Sequence, residues 1–111
     1  MKRNIALILL VLFSGYAFSG TYTGTVEKLI VGRAGDQVFI QLLGVSQNAC
    51  TSTHPLGFNF AFSLSGHSAG KELYSGLLMA LATQRQVTIQ GSGSCSIDTS
   101  LEDVGYIYLL K

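Results

Sequence analysis

Clustered basic charge is missing from this 111-residue sequence. Seven Lys and Arg stand against six Asp and Glu, spread without runs, which leaves little for electrostatic capture of nucleic acid or an anionic membrane. Cysteine is scarce, and without a C-x-x-C spacing Cys50 and Cys95 do not read as a redox or metal-binding pair. A hydrolytic constellation of nucleophile, base and orienting group is lacking too. His54 and His67, the only imidazoles, fall in polar connecting segments and are expected as exposed loop or turn residues. The glycines of Gly91-Ser92-Gly93-Ser94-Cys95 have no following Lys or helix, so they form no phosphate cradle. These absences lead to the expectation of a non-enzyme with no cofactor, no metal and no nucleic-acid partner.

What is present begins with a leader. Lys2 and Arg3 form a positive start, Ile5 to Phe13 are uninterruptedly apolar, and Ala17-Phe18-Ser19 supplies small residues at the two positions a signal peptidase inspects. The expectation is a signal peptide over 1–19 and a mature start at Gly20, with cleavage after Ala17 as the alternative. The apolar run is too short to span a bilayer and no cysteine lies near the cut, which argues against a retained anchor or a lipid-anchored form. Much of the mean hydropathy of +0.41 belongs to this segment. Over 20–111, five basic residues meet six acidic ones, a net charge of −1. A secreted or periplasmic location follows as the expectation. In such an oxidising compartment Cys50 and Cys95 are expected to form a structural disulfide.

The remaining chain reads as one small domain. Thr21 to Val31 suits a strand whose alternation slips around Lys28, from Tyr22 and Val26 to Leu29 and Val31, which predicts a bulge. Gly32 to Asp36 is a hairpin turn, and Gln37 to Val45 a strand with Val38, Ile40 and Leu42 on one face and Phe39 and Leu43 on the other. Ser46 to Leu56 is an irregular loop. Phe58, Phe60, Phe62 and Leu64 alternate with small or polar residues and predict a third strand whose phenylalanines face the core. Leu73, Leu77 and Leu81 recur every fourth residue and predict the single helix, with Ser68 as N-cap and Gly76 as a point of close approach to the sheet. Val87 to Ile89 and Val104 to Leu110 complete the strands, with Val104, Tyr106, Tyr108 and Leu110 on one face.

Strand, strand, strand, helix, strand, strand is the plan of a small five-stranded OB-fold-like barrel, with the helix between strands 3 and 4. A ferredoxin-like sandwich needs a second helix that 46–56 does not supply. The stretch Lys71 to Ala80, followed by Gln86-Val87-Thr88-Ile89, resembles the helix and fourth strand of secreted bacterial OB-fold proteins. Among these are the B subunits of pentameric toxins of the pertussis and subtilase-cytotoxin type. Small secreted proteins of Gram-negative bacteria with a late G-x-G-x-C segment, like Gly91 to Cys95, are similar as well. The resemblance implies a homo-oligomer that binds a cell-surface glycan. No glycan-contacting residue of those subunits matches a position here, and the chain is shorter and lacks their tryptophan.

The expected function is therefore a secreted or periplasmic, non-catalytic binding module with a glycan or protein partner, acting as an oligomer. The alternative is a monomeric envelope accessory or inhibitor protein. Polar positions suited to contact are Asn48, Thr51, Ser52, Thr53 and His54 in one loop, and Tyr106 and Tyr108 on the last strand; none is assigned as a ligand residue. Asp98, Thr99, Ser100, Glu102 and Asp103 lack the ordered spacing of a calcium loop and are expected as solvated groups that discourage edge pairing.

Overall fold

The computed structural model describes residues 20–45, 48–50 and 53–111. The expected signal peptide, and Thr51 and Ser52 of the contact loop, lie outside the described residues. Five strands, β1 (Thr21–Arg33), β2 (Gln37–Leu42), β3 (Phe60–Ser63), β4 (Gln86–Gly91) and β5 (Glu102–Leu109), close into a ring in the order β1-β2-β3-β5-β4. One helix, α1 (Gly70–Thr83), lies between β3 and β4 and packs against β1, β4 and β5. The architecture is OB-fold-like, as the order of elements predicts.

Two extra residues shape β1. Val26 pairs with Leu42 but Lys28 with Gln41, so Glu27 is bulged, and a second slip between Val31 and Arg33 feeds the turn. The first bulge lets one strand serve two neighbours: Thr21 to Thr25 pair with β4, and Val26 onward with β2. It also moves Leu29 onto the core, although Val31, near the hairpin end, stays 46% exposed. The turn uses positive φ at Gly32, Ala34 and Gly35. Asp36 then accepts hydrogen bonds from the Ser63 and Ser65 hydroxyls, which ties the hairpin to the end of β3 and holds its carboxyl below the usual carboxylate range.

The central core takes Val26, Val38, Ile40, Leu42, Phe60, Phe62, Val87, Ile89 and Val104 from the strands, and Leu73, Leu77 and Ala80 from α1. At Gly76 an added methyl would lie 3.0 Å from Ile107 Cδ1, so the glycine permits the expected close approach of helix and sheet. Ser68 does not cap α1. The N-cap is Ala69, and it is the His67 ring whose Nδ1 accepts the Ala69 N–H at 2.9 Å. The His67 Nε2 donates to the Val104 and Gly105 carbonyls, at 3.1 and 3.0 Å, which pins the helix start to β5. His67 is thus a half-buried bracket rather than an exposed turn residue.

The strands end sooner or later than their apolar runs suggest. Leu43 lies beyond β2 and is 58% exposed. Phe58 falls outside β3 because the side chain of buried Asn59 takes over the ladder, its Oδ1 accepting the Leu42 N–H at 2.9 Å. Phe58 therefore leaves the central core and joins a second apolar cluster, with Phe39, Ala61 and Leu101, on the outside of β2 and β3. On β5, Gln90 pairs with Tyr106 but Gly91 with Val104, so Gly105 is bulged. That bulge separates Val104, which points inward, from Tyr106 and Tyr108, which point to solvent. The single apolar face expected from Val104 to Leu110 is split by it.

Cys50 and Cys95 form a disulfide with a Cα–Cα distance of 6.1 Å. The bridge joins the loop before β3 to the loop before β5, and is compatible with an oxidising, extracellular or periplasmic setting. Among the described residues no helix is long and apolar enough to cross a membrane.

Candidate functional site

An OB-fold barrel has a ligand face on strands 2 and 3. Here that face is occupied by the chain itself. Phe39 on β2 and Ala61 on β3 are covered by Phe58 and Leu101, with Ile30 and Ile97 at the margin. His54 belongs to this cover: it is 9% exposed and its ring meets those of Phe39 and Phe58 edge-on, at centroid distances of 5.8 and 5.5 Å. Its Nδ1 accepts the Leu56 N–H, so the expected exposed loop histidine is a buried packing element. Lys28 and Arg33 lie 5.0 and 5.6 Å from the Phe58 and Phe39 ring centroids and close the cluster from solvent. Asn48 is likewise committed: its Nδ2 donates to the Asn59 and Ser100 carbonyls and its Oδ1 accepts the Cys50 N–H. Of the described polar positions named in the expected contact loop, Asn48, Thr53 and His54, only Thr53 is exposed.

The outer face of β1, β4 and β5 is different. Cross-strand pairing sets Thr23, Thr88 and Tyr108 in one row and Thr21, Gln90 and Tyr106 in the next. The Thr23 and Thr88 hydroxyls are 2.7 Å apart, and Thr21 Oγ1 donates to Gln90 Oε1 at 2.6 Å. Tyr106 and Tyr108 are 51% and 53% exposed, with rings in an edge-to-face pair at 5.5 Å. A hydrogen bond to Tyr108 raises the Tyr106 phenol above its ordinary pKa. None of Thr21, Thr23, Thr88, Gln90, Tyr106 and Tyr108 is an acidic or basic residue. Two exposed aromatic rings offer stacking and phenol hydrogen bonds to a neutral ligand, over a floor in which Thr88 is buried and Gln90 is held by Thr21 and by the Gly91 carbonyl. The two tyrosines are among the polar positions that the sequence offers as candidates, and the structure places both on an exposed face. Thr21, Thr23, Thr88 and Gln90 are not singled out in the sequence, although the alternation of Thr21, Thr23 and Thr25 points to one polar strand face.

The acidic segment that leads into β5 divides by role. Asp98 accepts from the Ser100 N–H and hydroxyl, and Asp103 from Ser94 and Ser96. Glu102, expected as a solvated group, is fully buried. The alternation of β5 turns it inward beside Val104, and its oxygens accept from Tyr22 Oη at 2.9 Å, Ala49 N at 3.0 Å, and Gly20 N and Gly93 N at 3.2 Å. Burial, and then the hydrogen bond to Glu102, push the Tyr22 phenol up to about 12. Room for this carboxylate comes from Gly91, where a methyl would fall 1.9 Å from Glu102 Oε2.

A shallow depression lined by Lys71, Glu72, Ser75, Gly76, Met79 and Leu109 runs between α1 and β5. Met79 and Leu109 are 62% and 54% exposed there. Compared with protein-family models, with curated proteins and with solved structures, the chain matches none.

Proposed function

We propose that this chain is an exported, non-catalytic binding module that recognises a neutral glycan, or a protein, through the tyrosine face of β1, β4 and β5. The observation that carries the reading is the exposed Tyr106–Tyr108 pair on a row of threonines and glutamine, while the outer face of β2 and β3 is filled by the chain's own loops. Tyrosine gives large contact area with little side-chain entropy to lose, and its hydroxyl serves sugar and peptide alike. The absence of charge from the face favours an uncharged carbohydrate over phosphate or a basic peptide. Assembly into a homo-oligomer, of the kind that the toxin B-subunit resemblance implies, would multiply weak single sites.

The test is a glycan panel titrated against the wild type, Tyr106→Ala and Tyr108→Ala. Binding that both substitutions reduce at least tenfold supports the reading; binding that neither changes overturns it. The second reading, a monomeric envelope accessory or inhibitor protein, draws on the exposed Met79 and Leu109 beside α1. Native mass spectrometry separates the two, because a closed ring favours the oligomeric module and a clean monomer the accessory protein.

A further inference from the structure

We infer that the compartment around Glu102 is a receptor for the chain's own processed end: cleavage between Ser19 and Gly20 creates an α-ammonium that pairs with the Glu102 carboxylate. The inference rests on the export reading for the cut itself and on the geometry below for the pair.

Glu102 is wholly withdrawn from water, yet its donors among the described residues are three backbone N–H groups and one phenol, all uncharged. A carboxylate in that position is costly unless an opposite charge accompanies it. The Gly20 nitrogen lies 3.2 Å from Glu102 Oε2. While the Ser19–Gly20 peptide bond is intact that nitrogen is a neutral amide. Hydrolysis by a leader peptidase breaks the C–N bond: water supplies the hydroxyl to the Ser19 carbonyl carbon and a proton to the nitrogen. The new Ser19 carboxyl ionises as the amine takes up a second proton, leaving a carboxylate and an ammonium, the dominant forms at neutral pH.

The surroundings suit a chain start at residue 20. The Gly20 carbonyl accepts the Gly91 N–H at 2.8 Å, which fixes the residue at the end of the β1–β4 ladder. A methyl on Gly20 would fall 1.9 Å from Tyr22 Oη, and one on Gly91 1.9 Å from Glu102 Oε2, so two glycines line the compartment. A start at Phe18, by contrast, would carry the ammonium two residues beyond the carboxylate.

The test compares protein made with three starts by site-specific release from a fusion: Gly20, Ser19, and acetylated Gly20. The Ser19 start keeps the ammonium but moves it away, and acetylation removes it in place. The Gly20 form is expected to melt about 10 °C above both others. With Glu102→Gln the gap should shrink to about 2 °C or less, and if that variant does not fold, the agreement of the two modified wild-type forms decides. Equal melting of all three forms overturns the pair. Intact-mass measurement of protein exported from a Gram-negative host tests the cut separately. A start at Gly20 supports it, whereas a start at Phe18 or a retained leader overturns the processing half even where the synthetic Gly20 form is the more stable.

Discussion

Two outer faces of one ring have opposite fates. On β2 the apolar residues run on both sides, Val38 and Ile40 inward and Phe39 outward, so the outer side also needs cover. The loops that the disulfide joins provide it, and the face becomes a second core. On β1, β4 and β5 the outward positions are Thr21, Thr23, Thr88, Gln90, Tyr106 and Tyr108, where the threonine hydroxyls and the Gln90 amide bond across the strands. The same plan thus offers two faces, and the residue types at outward positions decide which one is spent on stability and which remains open. An OB-fold-like order alone does not locate a binding surface.

This contrast can be broken from the covered side. Replacing both Cys50 and Cys95 by Ala releases a bridge across 45 residues and is expected to cost about 4 kcal/mol in urea unfolding, the largest single effect. Phe58→Ala should cost about 3 kcal/mol, because it empties the middle of the second core beneath His54. Tyr22→Phe removes a hydrogen bond to a buried carboxylate, and a loss of about 2 kcal/mol is expected from thermal or urea melts. The pH dependence has a definite sign. A phenol raised from 10.0 to about 12 adds stability that is complete below pH 10 and is lost as pH rises through 12. The wild type should therefore lose stability across that window more than Tyr22→Phe does, with ultraviolet difference spectra following the phenolate. From the open side the contrast is sharpened by the smallest effect: Tyr106→Ala and Tyr108→Ala should each change stability by about 0.5 kcal/mol or less. A loss of about 2 kcal/mol at either position would mean that these rings belong to the packing.

The order of elements, the disulfide and the bulge in β1 were legible because each leaves a local mark: alternation, a lone cysteine pair, a slip of phase at Lys28. The tyrosine face was half legible. Tyr106 and Tyr108 stood out by type, but their outward orientation depends on the bulge at Gly105, which the unbroken run of Val104, Tyr106, Tyr108 and Leu110 conceals. His54, His67 and Glu102 read as surface residues because their types usually are. Each is wholly or partly buried by partners far away in sequence: Phe39 for His54, Val104 and Gly105 for His67, and Tyr22 and Ala49 for Glu102. Phe58 followed the stripe of Phe60 and Phe62 in the sequence, and only the substitution of Asn59 for a backbone acceptor parts them.

The division of β1 between two neighbours sets a clock on folding. Its second half meets β2 across a short turn, whereas Thr21 to Thr25 must wait for Gln86 to Gln90. The residues made early in the domain are thus completed by residues made late, and contacts so distant along the chain form slowly. Until β4 emerges, the start of β1 is an unpaired strand with free backbone groups, open to wrong partners. Closure of the ring thus depends on a pairing between the two ends of the domain, Thr21 to Thr25 with Gln86 to Gln90.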